Sequence, residues 1–216
     1  MHNSETDLSR RTLIKSAAML GGLAIASHTF PALAAGDTGN RIASTPEAVP
    51  PALLKRALAA LDRNAKQIPR RDRIAIADFS TSSARRRLHL VDLGSGKTTS
   101  LLVAHGRGSD PAHTGWLQRF SNQPGSAASS QGAYLTSNYY TGQHGHSQRL
   151  IGLDPTNDNA LARAIVIHAA WYAEPGMIQT HKMLGRSEGC FAVGEAQLKG
   201  LFDQLGEGRM LYADKV

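Results

Sequence analysis

Gly185-Arg186-Ser187-Glu188-Gly189-Cys190-Phe191-Ala192-Val193 carries the only cysteine in a chain of 216 residues. The thiol stands between a glycine and an apolar run, with an arginine four positions upstream. Because the thiolate is the form that attacks carbonyls, a solitary thiol so placed is a candidate nucleophile, and it cannot close an internal disulfide. Upstream, Ile165-Val166-Ile167-His168-Ala169-Ala170 sets a histidine after three β-branched residues typical of a buried strand. Downstream, Glu195 to Leu205 places Leu198, Leu201, Phe202 and Leu205 on one helical face. The expectation from these three pieces is that His168 and Cys190 meet in space, with a helix following the nucleophile.

Composition sets the class around them. A hydrophobic share of 41% and a charged share of 19% are globular values, and 21 glycines with 9 prolines favour turns over long helices. The reading is a mainly β fold with peripheral helices (α+β). Lys and Arg number 24 against 17 Asp and Glu, a net charge of +7 that suits an anionic polymer or surface. Nucleic acid is disfavoured, because the basic residues are scattered apart from Arg70-Arg71 and Arg85-Arg86-Arg87. Neither cluster is interleaved with aromatics, and both read as solvated faces.

The first 35 residues read as an address. Ser9-Arg10-Arg11-Thr12-Leu13-Ile14-Lys15 precedes a short apolar run from Ala17 to Ala26 and then Ala32-Leu33-Ala34-Ala35. That layout resembles a bacterial twin-arginine export signal, cleaved after Ala34 or Ala35. The run is shorter than the roughly 20 residues that cross a bilayer, so no stable membrane span is expected after cleavage. Cleavage removes three basic and two acidic groups and leaves the mature chain at +6. An exported protein usually pairs its cysteines, so an unpaired one points to reactivity.

In order, residues 36–51 form a polar, proline-bearing linker, and the catalytic domain runs over 52–216. Helical spacing of Leu53, Leu54, Ala57, Leu58 and Leu61 predicts one amphipathic helix over about 51–66. Strands are predicted at Arg73 to Phe79 and Arg87 to Leu93, the second paired across Gly94-Ser95-Gly96 with Lys97 to Ala104. His105 to Asp110 closes that strand, and residues 120–132 form a long polar loop of the kind that usually has a task. Tyr134 to Ser137 is read as a short strand, Tyr139 to His146 as a turn, and Asn159 as the cap of a short helix. Arg209 to Tyr212 is a possible last strand.

With these blocks in order, the chain from about Arg73 to Val193 resembles the L,D-transpeptidase catalytic domain of the YkuD type, in the murein L,D-transpeptidase branch. The blocks are His105-Gly106-x-Gly108-Ser109, Phe120-Ser121-Asn122, Gly125-Ser126, Ser129-Ser130-x-Gly132, Gly145-x-Ser147, Arg149-Leu150-x-Gly152-Leu153, His168 and Gly185-Arg186-Ser187-x-Gly189-Cys190. The resemblance implies a YkuD-like β-sandwich or barrel and a nucleophile at Cys190. It also implies that His168 is the general base and acid, and that Ser187 and Gly189 belong to the Ser-x-Gly-Cys signature. Its substrates are peptidoglycan stem peptides, the donor ending in meso-diaminopimelate and D-alanine, and carbapenem inhibition is implied with it. Glu188 stands where the branch usually has tryptophan, and Phe191 where it usually has proline.

The residues support the same chemistry. Proton transfer to His168 would leave a thiolate and imidazolium pair with a lowered cysteine pKa, and attack on an amide would give a thioester. The amides of Cys190 and Gly189 are candidate oxyanion donors, Arg186 a carboxylate clamp, and His105 a secondary site residue. No cofactor or metal is implied. Three rivals stand beside this reading: an L,D-carboxypeptidase or other cysteine peptidase using the same pair, a metal hydrolase drawing on His105, His113, His144, His146, His168 and His181, and a cell-wall binding module.

Overall fold

The computed structural model describes residues 48–216. The expected export leader at 1–35 and all but the last four residues of the expected linker lie outside the described residues. Helix α1 (Pro51–Arg63) opens with proline at its first turn, where a missing amide costs nothing, and buries Leu53, Ala57, Ala60 and Leu61. It stops short of the predicted end at 66. The Asn64 amide and side chain both bond the Ala60 carbonyl, closing the last turn.

Eight strands form one mixed sheet: β1 (Arg73–Asp78), β2 (Leu88–Asp92), β3 (Thr98–Leu101), β4 (Gly132–Gly142), β5 (Gly145–Gly152), β6 (Val166–Ala169), β7 (Phe191–Val193) and β8 (Met210–Asp214). Helices α2 (Pro175–His181) and α3 (Glu195–Leu205) complete the mainly β architecture. The spatial order is β3-β2-β1-β8-β4-β5-β6-β7, with β1–β8 and β6–β7 the parallel pairs. The chain leaving β3 at one end of this order reaches β7 at the other, where Ala104 bridges Ala192.

Period-two alternation divides the core between the two faces of the sheet. Ala75 and Ala77 of β1 pack with Leu88, Leu90, Phe191 and the Leu198, Leu201, Phe202 and Leu205 face of α3. Ile74 and Ile76 pack on the other side with Met210, Tyr212 and the buried stripe of α1. At about 1.5–3 kcal/mol for each large apolar side chain buried, these two clusters carry most of the driving force for folding. The function of α1 is therefore to cover one sheet face.

Four local readings change in three dimensions. Tyr139 and Tyr140 are not turn residues: β4 continues through them to Gly142, pairing with Gln148 and Ser147 of β5 after a register shift beyond Thr136. The bulge re-aims the strand, and a strict alternation test misses it. Residues 154–164 form successive turns rather than a helix capped by Asn159, since Ala164 takes a left-handed φ of 54° and ends any helical path. The last strand, β8, runs past the expected end at Tyr212 to Asp214 and lies between β1 and β4. Arg87, read as part of a solvated cluster, is buried at 1% exposure. Its guanidinium donates to the Val103 carbonyl at 3.1 and 3.2 Å and to the Thr81 carbonyl at 2.8 Å, and lies over the Phe79 ring.

Candidate active site

The parallel pairing of β6 and β7 sets Ile167 beside Phe191 and His168 beside Ala192. One step back in that register, Cys190 lies beside Val166. Ile167, Phe191 and Val193 point into the main core, while Ala192 belongs to a separate cluster. Alternation therefore puts His168 and Cys190 on the face of Ala192. For strands about 4.8 Å apart with a rise of about 3.3 Å per residue, the two Cα atoms are diagonal neighbours at about 8 Å, within reach of an imidazole and a thiol.

Each group is held by a backbone carbonyl. His168 Nδ1 is 2.8 Å from the Ala169 oxygen, and because a carbonyl only accepts, Nδ1 carries the proton and Nε2 is left as the basic atom. The Cys190 thiol donates to the Ala164 carbonyl at 3.6 Å. Cys190 is 7% exposed. Burial pushes its pKa up, opposed by the Val166 amide and by the charge of Arg163, and Glu188 adds to the rise. Burial pulls the His168 pKa down, the Ala169 carbonyl opposes this, and neighbouring His144 lowers it further. Burial thus favours the neutral thiol and the neutral imidazole over the thiolate and imidazolium pair. The thiol proton points at Ala164 rather than at His168.

Ser187 shapes the turn that presents the thiol. Its hydroxyl donates to the Cys190 carbonyl at 2.7 Å and accepts from the Gly189 amide at 3.1 Å. The Gly189 amide, expected to serve an oxyanion, is therefore already bonded within the turn. Gly189 itself has φ 117°, and a Cβ there would lie 2.9 Å from the Ala128 oxygen, so only glycine fits. Gly106 is tighter still: its Cβ would fall 2.3 Å from the Ala127 oxygen and 2.7 Å from the Gly189 Cα.

The long polar loop is what presses on both glycines. Ser129 Oγ accepts from the Gly106 amide at 3.0 Å and donates to the Gly189 carbonyl at 3.2 Å, while the Ser129 amide donates to Ser109 Oγ at 3.0 Å. Arg163 ties the loop down, donating from Nη1 to the Ser121 carbonyl (2.7 Å) and Ser130 Oγ (2.6 Å), and from Nη2 to the carbonyls of Ser126 (2.8 Å) and Ala128 (2.5 Å). A Cβ on Gly189 would stand 3.3 Å from Arg163 Nη2, so the guanidinium lies against the nucleophile turn. Nothing in the sequence distinguished Arg163, an arginine between two alanines before a strand.

The secondary candidates take other roles. His105 is buried beneath the site, with Nδ1 2.7 Å from Arg87 Nη2 and Nε2 3.5 Å from Asp110 Oδ2. Burial first, then the Arg87 charge, lowers its pKa to about 3. It is a neutral link between a buried cation and a buried carboxylate, and its own carbonyl accepts from the Ser187 amide at 2.9 Å. Arg186 Nη1 donates to the carbonyls of Asp110 and Pro111, the latter at 3.1 Å, so part of the expected clamp is spent on the backbone. The exposed cation at the nucleophile turn is Arg107, paired with Glu188. The histidines weighed as a metal set are dispersed: His113 bonds the Leu184 carbonyl and His146 stacks on Tyr139, while His144 stacks on His168. Among the described residues no group of three His, Cys, Asp or Glu side chains is arranged to hold a metal ion.

The family model for the L,D-transpeptidase catalytic domain matches residues 46–213, more than three quarters of the chain. The chain belongs to the L,D-transpeptidase catalytic domain family. Several solved structures align with it at low identity. An L,D-transpeptidase from Stackebrandtia nassauensis is 15% identical over 74% of this chain and 66% of its own, with a TM-score of 0.41. The helical cell shape determining protein Pgp2 of Campylobacter jejuni is 11% identical over 77% of this chain and 57% of its own, with a TM-score of 0.44. The L,D-transpeptidase LdtMt1 in complex with imipenem is 11% identical over 66% and 59%, with a TM-score of 0.39. This L,D-transpeptidase domain thus spans less than three fifths of the length of the last two. No curated protein matches the chain. Trp171, just beyond His168, is 75% exposed, and Trp116 is also exposed, whereas Tyr134 is buried and bonds the Ser130 carbonyl.

Proposed function

We propose that the protein is an exported cysteine acyltransferase acting on peptidoglycan stem peptides, forming L,D-cross-links through a thioester on Cys190. The observation that carries this reading is the β6–β7 register, which sets the lone thiol and a histidine with a free Nε2 on one face of adjacent strands, in a chain of the L,D-transpeptidase family.

In the proposed cycle His168 Nε2 takes the thiol proton as Sγ attacks the carbonyl carbon of the donor's scissile amide. The tetrahedral intermediate expels the terminal residue as an amine, which receives the proton from the imidazolium, and a thioester remains. An amine of a second stem attacks that thioester, gives its proton to Nε2, and displaces the sulfur, which takes that proton from the imidazolium and restores the neutral thiol and imidazole. Because the thiol is neutral at rest, proton transfer belongs to the attack itself, and both groups have the protonation state this requires near pH 7. The +6 charge of the mature chain favours approach to an anionic wall polymer. The twin-arginine layout of residues 9–35 supports a site of action outside the cytoplasmic membrane. Among the described residues no helix is long and apolar enough to cross a membrane.

Intact-protein mass spectrometry tests the reading. Incubation with a carbapenem or a tetrapeptide donor should add one acyl mass on Cys190, and Cys190→Ala should add none. An unmodified wild-type protein under both conditions would sink the proposal. With an acceptor peptide present, a cross-linked product supports transfer, and tripeptide alone supports the L,D-carboxypeptidase reading.

A further inference from the structure

Glu188 is the exposed side chain of the Ser187–Cys190 turn, at 68%, between neighbours that are buried. Its carboxylate accepts two hydrogen bonds from one guanidinium, from Arg107 Nε at 2.7 Å and from Arg107 Nη2 at 2.9 Å. Both backbones are fixed: the Arg107 amide donates to the Ser187 carbonyl at 2.7 Å, and Gly106 bridges Ser187. The result is a planar, two-pronged carboxylate site with a rigid base, on the rim of the nucleophile turn and open to solvent. Arg186, the other cation of this turn, directs Nη1 at backbone carbonyls instead.

A guanidinium fork matched to a carboxylate does not distinguish an internal from an external one. An exposed pair of this kind is held weakly, so an incoming carboxylate that gains other contacts can displace Glu188. We infer that Arg107 is the receptor for the C-terminal carboxylate of the donor peptide, and that Glu188 occupies the receptor until substrate arrives. The inference rests on the acyl-transfer reading for the identity of the ligand. The Glu188 carboxylate marks the position the substrate carboxylate takes. It also explains how a glutamate is tolerated beside a nucleophile whose ionisation it opposes: on substrate binding it moves away.

The test is equilibrium binding, which needs no turnover. A stem tetrapeptide with a free C-terminal carboxylate and the same peptide as its C-terminal amide are titrated by calorimetry into the full-length Cys190→Ala protein, alone and with Arg107→Gln or Glu188→Gln added. Arg107→Gln should weaken the free acid about tenfold and leave the amide unchanged, the expected loss for one charge-assisted bidentate contact. Glu188→Gln should tighten the free acid about twofold to fivefold and leave the amide unchanged. Equal effects of Arg107→Gln on acid and amide, or no effect on either, overturn the inference, as does weaker binding of the free acid in Glu188→Gln. Failure of the wild-type protein to form an acyl-enzyme would fall on the proposed reaction, and the titrations would still decide whether Arg107 reads a carboxylate.

Discussion

His144 stacks on His168 with ring centroids 4.4 Å apart and planes 24° from parallel. His144 sits at the exposed tip of the β4–β5 hairpin, and His168 is cross-strand from Ser147 of β5. The hairpin therefore covers one face of the His168 ring. Other ionisable groups near the base are Cys190 on the adjoining turn and His146 on the hairpin, the latter turned toward Tyr139 and Phe202.

The charge of His144 lowers the His168 pKa, so removing it should raise that pKa. His168 acts as a base only when neutral, and the acid limb of the acylation rate should move to higher pH in His144→Phe, which keeps a stacked ring. His144→Ala should show the same shift together with a lower plateau, because the ring is no longer held. A pH–rate profile for carbapenem labelling measures both, and an unmoved acid limb in the two variants would contradict the electrostatic role.

Arg163 should matter to the sulfur as well as to the loop. Its charge opposes the rise in the Cys190 pKa caused by burial, so Arg163→Met should carry that pKa higher still. The rate of iodoacetamide labelling against pH should climb later in the variant than in the wild type. Arg163→Lys keeps the charge but cannot serve four acceptors, and should restore the labelling profile while leaving the melting temperature low.

Gly189→Ala and Gly106→Ala should each lower stability by roughly 1–3 kcal/mol, the first through backbone strain and the second through direct overlap with the Ala127 carbonyl. Thermal melts give the cost. Both variants should also acylate more slowly, because the loop braced by Ser129 is the element displaced. Normal melts would mean that the loop gives way freely.

Asp72 joins the start of β1 to β8 through a bidentate contact with buried Arg209, at 2.8 Å on each oxygen. The hydrogen bonds from Arg209 hold its pKa down to about 2. A carboxylate with a depressed folded pKa contributes stability above its unfolded value near 3.8 and loses it as pH falls toward 2. Asp72 is more than half exposed, so the contribution is about 1 kcal/mol or less. Asp72→Asn should lower the melting temperature at pH 6 and narrow the gap to wild type by pH 2, as read by circular dichroism.

Much of this molecule is legible in its residues taken in line. Leu53, Ala57 and Leu61 announce α1, and Leu198, Leu201, Phe202 and Leu205 announce α3, because periodic burial writes itself into periodic hydrophobicity. The solitary Cys190 and the His168 behind three β-branched residues are chemically conspicuous for the same local reason. Helix α2 escapes, since it buries no residue completely and so leaves no stripe to read.

What only the tertiary structure decided is the state and surroundings of those groups. Whether the thiol is ionised depends on burial, on the Ala164 carbonyl and on Arg163, 27 positions upstream of Cys190, and no local pattern reports a sum of distant charges. The same holds for Arg87, whose neighbours in sequence are arginines but whose neighbours in space are carbonyls and His105. Composition and spacing determine which elements form and which side chains are reactive. Desolvation and hydrogen-bond partnership, properties of the folded interior, determine which arginine is a strut, which one stays exposed beside Glu188, and which nitrogen of His168 is left to take a proton.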